Sequence, residues 1–315
     1  MVYQELVSKL HAWENEHRPV DVMTKLPHYE FGAGNGGCLR PLAKVQNVMA
    51  LTEYKLEDHA LQQMLGRLDF PLRFYKRLPE GLQYANVNWL VQHGAYESDV
   101  MLRVQDENSV RALLSDKFEP FDHLELLEML GPFTDGAMIR WEHLDDMVLH
   151  LSLSFPSRAA EIKVGDVVEM GVHISNSEVG VRSVTVAAYV YRLRCMNGAI
   201  GSSQGDVHRF RHIGDSNRLQ QAVQSAMADV WMQSQGIVAK FQQALLKKIE
   251  QPVDTIQSVC KENSLTQDEF KSVLDCWAIE PGDTRFELSQ AFSRAAQALP
   301  AERRYEVERI AVDVL

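Results

Sequence analysis

Cysteine is scarce in this sequence, and the four that occur lie far apart. Cys38, Cys195, Cys260 and Cys276 are spread over 315 residues without a Cys-x-x-Cys pair. Small secreted domains use dense cysteines as disulfide frameworks, and structural zinc sites use closely paired cysteine ligands. The spacing therefore argues against both kinds of site and predicts a protein of a reducing compartment.

Long apolar runs are also missing. The sequence contains no stretch of about 18 apolar residues, the length that a transmembrane helix requires. Its first residues, Met1 to Leu6, lack the basic segment and apolar core of a secretory signal. Hydrophobic residues make up 45% of the chain and charged residues 24%, as is usual for globular proteins. We expect a cytoplasmic protein with no membrane partner.

Positive charge is in deficit, because the formal net charge is −11. Residues 1–170 contain 16 lysines and arginines against 26 acidic residues. Residues 181–212, which we call the arginine island, instead contain five arginines, no lysine and one acid, Asp206. Guanidinium groups suit the geometry of phosphates and carboxylates. The island therefore predicts either a phosphate-binding surface or pairing with acids elsewhere in the protein.

The arginine island surrounds a predicted strand within the stretch from Gly171 to His212. Its apolar residues recur at every second position, as in a half-buried strand: Val184, Val186, Ala188 and Val190. Asn197-Gly198 predicts a turn, since both residues tolerate a positive φ. Polar groups thus gather at the two ends of this strand, where we expect function to be concentrated.

Periodicity along the rest of the chain predicts an α+β fold. We expect a central antiparallel sheet with N-terminal helices and a C-terminal helical bundle, divided as 1–98, 99–214 and 215–315. The first region is predicted as a helix over 2–17, irregular chain over 18–48 and helices over 49–94. The sheet is predicted to be antiparallel because its connections are too short for parallel crossovers. The predicted strands are 100–104, 109–114, 137–143, 147–155, 166–175 and 183–193, with a helix capped by Asp122 and ending near Leu130.

The C-terminal region carries the longest helical pattern. Apolar residues recur every three or four positions from Ser216 to Ile249, after a cap at Asp215 or Ser216. Such a helix is roughly 50 Å long, which exceeds what one sheet covers, so its apolar stripe predicts self-association into a homo-oligomer. Capping boxes at Thr266–Glu269 and Thr284–Glu287, and Pro300-Ala301, predict three further helix starts.

A glycine pattern at Gly32–Gly37 formally matches the Gly-x-Gly-x-x-Gly fingerprint of dinucleotide sites. That fingerprint needs a helix opening directly after the glycines, whereas Pro41 follows only four residues later. We interpret the glycines as a flexible loop and expect no cofactor.

Three stretches together resemble a known family. They are Leu61–Pro71 with Phe74-Tyr75, then Val110–Phe118, and then Ser175–Gly180 followed by Arg192–Gly198 and Arg211-His212. These stretches are similar to the phage- and plasmid-borne proteins grouped as DUF family 932, over roughly residues 50–250. The resemblance implies a protein of mobile elements and supplies no catalytic residues.

The sequence also contains residues that would suit two kinds of catalytic site. His208 and His212, with Asp206, His173 and Glu178, are candidate ligands of a metal-dependent hydrolase or nuclease, but Arg209 and Arg211 would place positive charge beside the cation. Cys195 would be an activated nucleophile if Arg192 and Arg194 lowered the pKa of its thiol. A buried, inert cysteine is the more common state in folded proteins.

A non-enzymatic protein that binds single-stranded nucleic acid fits more of these observations. Arginines would contact phosphates, and Phe210 or Tyr191 would stack on bases. In a mobile element such a protein would act in DNA recombination or single-strand annealing. The alternative is an interaction or inhibitor protein whose acidic surface acts on a host factor. The predicted nucleic-acid site comprises Arg192, Arg194, Asn197, Gly198, Arg209, Phe210, Arg211 and His212.

Overall fold

A computed structural model describes residues 3–32, 37–42, 53–94, 98–202 and 205–315. The fold is α+β, with helices and two six-stranded sheets. None of the described helices is both long and apolar enough to span a bilayer. The Gly-x-Gly-x-x-Gly match falls mainly on residues 33–36, which lie outside the described residues.

The first sheet is formed by the N-terminal part of the chain. Its strands are β1 (Val20–Thr24), β2 (Tyr29–Gly32), β3 (Cys38–Pro41), β4 (Tyr54–Leu56), β5 (Val100–Gln105) and β6 (Ser109–Ser115). They are ordered β1-β5-β6-β4-β3-β2, and the β4–β6 pair is parallel. The prediction of irregular chain over 18–48 is therefore wrong for these strands, and β4 interrupts the region predicted as helical. Because β1 pairs with β5, the predicted division after residue 98 separates two paired strands.

The helices of this part of the chain cover the first sheet or lie beside the second one. They are α1 (Tyr3–His17), α2 (Asp58–Arg67), α3 (Leu72–Tyr75), α4 (Glu80–His93) and α5 (His123–Leu130). The apolar residues of α2 at the predicted 3.6-residue period, including Leu61, Met64 and Leu65, are buried against the sheet. In contrast, α1 and α5 contribute to the core of the second sheet, through residues such as Leu6 and Leu127. These two helices therefore lie beside the junction of the two sheets.

The second sheet confirms the strands predicted around the arginine island. Its strands are β7 (Met138–Leu144), β8 (Leu149–Lys163), β9 (Asp166–Asn176), β10 (Val184–Arg192), β11 (Asn197–Ile200) and β12 (Val207–Phe210). Every described pairing in it is antiparallel, in the order β11-β10-β9-β8-β7 with β12 beside β10. The predicted central sheet is thus one of two sheets.

The two faces of the second sheet differ in polarity. Leucines 149, 151 and 153 alternate along β8 with His150, Ser152 and Ser154, and all six residues are buried. The leucine face packs on helix α6 (Ser216–Ala244). The polar face is covered in part by α10 (Ala301–Asp313), through Tyr305. Because both faces are covered, residues 149–155 of β8 are buried although their polarity alternates.

The long helix α6 begins and packs as its sequence indicates. Asp215 caps it by accepting a hydrogen bond from the backbone N–H of Arg218. The apolar positions from Leu219 to Phe241 are buried against the second sheet and the C-terminal helices. The reasoning that this stripe needs a second subunit to cover it is therefore wrong, and self-association stays a prediction.

The C-terminal helices are α7 (Pro252–Glu262), α8 (Gln267–Ile279), α9 (Arg285–Ala296) and α10. Helices α8, α9 and α10 begin at the predicted positions, whereas the sequence patterns predict no start for α7. Thr266 and Glu269 form the reciprocal capping box, and Thr284 accepts from the backbone N–H of Phe286. Asp122 differs: it lies at the N-cap of α5 but makes no side-chain cap, because its carboxylate binds Arg103 instead.

Candidate nucleic-acid interface

The structure divides the predicted site between the two ends of β10. Arg192 pairs with Asn197 at one end, and Val184 pairs with Phe210 at the other. Eight residues of strand separate these ends, roughly 26 Å at about 3.3 Å per residue. The predicted residues Arg192, Arg194, Asn197 and Gly198 therefore lie apart from Arg209, Phe210, Arg211 and His212.

Arg192 forms ion pairs with acidic residues inside the protein. It is 2% exposed and donates to both carboxylate oxygens of Asp166, from Nε at 2.7 Å and Nη2 at 2.6 Å. It also donates to both oxygens of Glu280, at 2.9 and 2.8 Å. This bidentate arrangement ties β10 to the end of α8. It corresponds to the second interpretation of the arginine island, pairing with acids.

Asn197 and Gly198 are buried in β11 rather than placed at a turn. The turn comprises residues 193–196, with a φ of 51° at Met196, so the prediction of a turn at Asn197-Gly198 is wrong. Asn197 donates to Gln290 at 3.1 Å and Ser293 at 2.8 Å. A Cβ atom on Gly198 would lie 2.2 Å from the hydroxyl of the buried Tyr189. Glycine is required here by close packing, while Arg194 is exposed in the preceding turn.

Cys195 lies beside this buried cluster. Its sulfur is 2.8 Å from Nη2 of Arg294 and 3.3 Å from Nη1 of Arg192. Burial raises the pKa of the thiol, and neighbouring Glu280 also raises it, against the lowering effect of the two arginines. A protonated thiol is a poor nucleophile, so this environment favours the inert interpretation of Cys195.

The other end of β10 retains exposed cations. Arg209 and Arg211 are exposed, whereas Phe210 is half-buried against the core and is not a free stacking face. His212 is buried and stacks on Phe118, with ring centroids 4.8 Å apart and planes 11° from parallel. The imidazole also bonds to Asn176 at 3.0 Å. His212 therefore holds this end together and leaves Arg211 facing solvent.

An open groove lies beside Arg211 at the junction of the two sheets. Its volume is about 320 Å³. Arg182 lines it and is fixed in place, because it donates to Ser175 at 3.2 Å and to Glu302, and lies 4.5 Å over the ring of Tyr305. No carboxylate occurs among the lining residues that the structure describes. These are Leu114, Ser115, Phe118, Gly180, Val181, Arg182, Ser183, Arg211, His212 and Ile213.

A buried ionic cluster joins the two sheets beneath this groove. Glu178 binds Arg111 of β6 and accepts from the backbone N–H of His123 at 2.6 Å, at the start of α5. Burial would raise the pKa of Glu178, but Arg111 and the backbone N–H of His123 hold it below its usual value. Since burial lowers the pKa of His123, this imidazole is neutral at neutral pH and Arg111 supplies the compensating charge. Arg103 of β5 adds a link by donating to the carbonyl of Glu178 at 2.9 Å.

A second polar network crosses the buried face of the second sheet. Ser152 bonds to Nδ1 of His173 at 2.9 Å, and Nε2 of His173 lies 3.3 Å from Nδ1 of His150. Nε2 of His150 is 3.0 Å from the carboxylate of Glu302. An ionised carboxylate can only accept a hydrogen bond, so a neutral His150 donates to Glu302 and accepts from His173. His173 in turn accepts from the hydroxyl of Ser152. Sequence reasoning missed this network, although alternate polar residues on β8 and β9 were its visible signal.

Acidification should destabilise the protein through this network. Burial lowers the pKa values of His150 and His173, so their contribution to stability is complete above pH 6.5 and is lost as pH falls below it. For each of these histidines, the free energy of unfolding falls by up to about 1.4 kcal/mol per pH unit. Burial raises the pKa of Glu308 to about 7. Protonation of this carboxyl group therefore stabilises the folded protein as the pH falls from 7 to 4.5.

Urea denaturation at pH 7 and 5.5 measures this balance. The Glu308→Gln variant lacks the opposing contribution, so its free energy of unfolding should fall more steeply on acidification than that of the parent. If the free energy of unfolding depends equally on pH in the two proteins, the pKa of Glu308 is not raised.

The proposed metal ligands are engaged separately. His208 accepts from Gln233 at 3.1 Å, Asp206 pairs with Lys240 at 3.1 Å, and His173 belongs to the polar network. Within the part of the chain that the structure describes, no group of three or more His, Cys, Asp or Glu side chains is arranged to hold a metal.

Comparison with known protein families identifies a match over most of the two sheets' later strands and the C-terminal helices. A family model described as "Domain of unknown function (DUF932)" matches residues 112–304, more than half of the chain. The match includes the Ser175–Gly180 and Arg192–Gly198 stretches on which the resemblance was based. No curated protein and no solved structure matches the chain.

Proposed function

Since the chain belongs to the DUF932 family, whose description states no activity, we propose from the site itself that the protein binds single-stranded nucleic acid in the groove beside Arg211. The observation that carries this proposal is the charge of the groove. Arg211 lines it with no carboxylate among the described lining residues, although the protein as a whole carries −11. Arg182 also lines it, and its charge is shared with Glu302. A local positive groove in an acidic protein favours a specific contact with phosphate.

The remaining lining residues suit the bases of a single strand. Val181 and Ile213 are 47% and 60% exposed, and Phe118 contributes an aromatic ring. Stacking and apolar contact with bases are tolerant of sequence and need no cofactor. In this arrangement Arg209 and Arg211 contact phosphates, while Phe118 replaces Phe210 as the aromatic contact.

The cellular role is part of the same proposal. We propose a protein of phages or plasmids that acts in the cytoplasm, in recombination or single-strand annealing, as a homo-oligomer. These assignments derive from the family resemblance and from the need of annealing proteins to cover a strand with many subunits. None of the four cysteines, all of which lie in the described residues, forms a disulfide, which fits a reducing compartment.

Neutralising Arg211 should weaken binding, and neutralising Arg194 should not. Both arginines are exposed members of the arginine island, but they lie at opposite ends of β10. Fluorescence anisotropy of a labelled 30-nucleotide oligothymidylate across a salt series compares the parent with Arg211→Ala and Arg194→Ala. We expect Arg211→Ala to reduce the salt dependence by about one unit of slope and to lower affinity several-fold at low salt.

Two outcomes would overturn this proposal. If the parent shows no salt-sensitive binding at low ionic strength, the groove does not bind nucleic acid, and the interaction protein with an acidic surface becomes the better explanation. If Arg194→Ala has the larger effect, binding occurs at the opposite end of β10.

A further inference from the structure

A second, more enclosed cavity lies below helix α1. Its volume is about 190 Å³, and a cavity of roughly 150 Å³ is enough to hold benzene. Five separate segments of the chain enclose it. The lining residues are Leu10, Trp13, Glu14, Arg111, His123, Leu144, Asp145, Asp146 and Glu178. The space therefore suits a small organic molecule.

The charges around this cavity are unbalanced. At its floor Arg111 and Glu178 form a buried ion pair and neutralise each other. Glu14 and Asp146 add two further carboxyl groups, and the described lining residues contain no second lysine or arginine. A third, Asp145, is bound to His143 and to the backbone N–H groups of Met147 and Val148. Burial raises the pKa of Glu14, and the nearby charges of Asp122 and Glu178 raise it further. A cation beside Glu14 would relieve this repulsion.

Arg111 provides an independent indication of a ligand. Its side chain is 95% buried, and its Nε atom has no hydrogen-bond partner among the described residues. Leaving a buried donor unpaired costs about 1–3 kcal/mol, so such donors are usually satisfied by a ligand or water. Since the neighbouring carboxylate of Glu178 disfavours an anion here, the matching group is a neutral oxygen acceptor.

We propose that this cavity binds a small ammonium compound that also carries a hydroxyl or carbonyl oxygen. The ammonium group lies beside Glu14 and Asp146, the oxygen accepts from Arg111, and the carbon atoms contact Leu10, Trp13 and Leu144. This binding site is separate from the groove beside Arg211 and does not depend on nucleic-acid binding.

Three molecules of nearly equal shape test the proposal. Choline carries the cation and a hydroxyl oxygen, 3,3-dimethylbutan-1-ol is its neutral carbon isostere, and 3,3-dimethylbutanoate is an anion of similar size. Isothermal titration calorimetry with the full chain at pH 7.5 should show choline binding at least tenfold more tightly than the other two. The Glu14→Gln variant should lose at least tenfold in choline affinity. Glu16→Gln, an exposed glutamate of the same helix, should leave it unchanged.

The contrary outcomes are equally specific. Equal binding of choline and its neutral isostere would make the cavity an apolar site without charge selection. Tighter binding of the anion would show that Arg111 determines recognition. If choline shows no binding at millimolar concentration, the cavity is not a site for ammonium compounds. Circular dichroism of the Glu14→Gln variant establishes that its loss is not caused by unfolding.

Discussion

Replacing Arg192 by alanine should lower the free energy of unfolding by about 3–5 kcal/mol, the usual cost of leaving one partner of a buried ion pair uncompensated. Arg192 holds the carboxylates of Asp166 and Glu280, of which Asp166 is 1% exposed. Alanine would leave Asp166 charged and buried without its guanidinium. It would also disconnect the second sheet from α8. Urea denaturation followed by circular dichroism measures the loss.

Arg194→Ala is the matched control for this variant. It removes the same charge two residues later, from an exposed position in the turn, where substitutions usually change stability by less than about 0.5 kcal/mol. Equal effects of the two substitutions would contradict the buried network at Arg192. They would then also weaken the conclusion that Arg192 is a structural residue.

Replacing Glu178 by glutamine should be nearly as costly, again about 3–5 kcal/mol. The substitution preserves the shape of the side chain and an oxygen for the backbone N–H of His123. It removes the charge that compensates Arg111, which lies in the buried junction between the sheets. Adding Arg111→Gln to Glu178→Gln should recover part of the loss, because no uncompensated charge then stays buried.

The surface pair of Glu128 and His11 provides the control for this experiment. Its side chains are 53% and 52% exposed, so Glu128→Gln should change stability by less than about 0.5 kcal/mol. A Glu178→Gln variant as stable as Glu128→Gln would show that the junction of the two sheets does not depend on this ion pair.

Local patterns predicted the second sheet and the C-terminal helices well. A few adjacent residues define each of these patterns, so a single sequence is enough to recognise them. Examples are the alternation in β8 and β10 and the caps at Asp215 and Thr266. The first sheet was largely missed. Strands β1 to β4 are three to five residues long and depend on distant partners, including the parallel pairing of β4 with β6. Such strands leave little periodicity to detect.

The candidate site was predicted only in part, for a different physical reason. Charge along the sequence located the arginines but not the acids that face them, and Glu280 lies 88 residues from Arg192. Likewise, the sequence around His150 of β8 gives no sign of its partner Glu302 of helix α10, which lies 152 residues away. Long-range burial decides which arginines are structural, and it cannot be deduced from spacing.

Photo-crosslinking tests the central claim, nucleic-acid binding in the groove beside Arg211, most directly. An oligonucleotide containing 5-iodouracil is irradiated with the full chain, and the crosslinked peptides are identified by mass spectrometry. We expect crosslinks at Phe118 and within residues 211–213, abolished by high salt because phosphate contacts hold the strand. Crosslinks confined to residues 193–196, at the opposite end of β10, would contradict it.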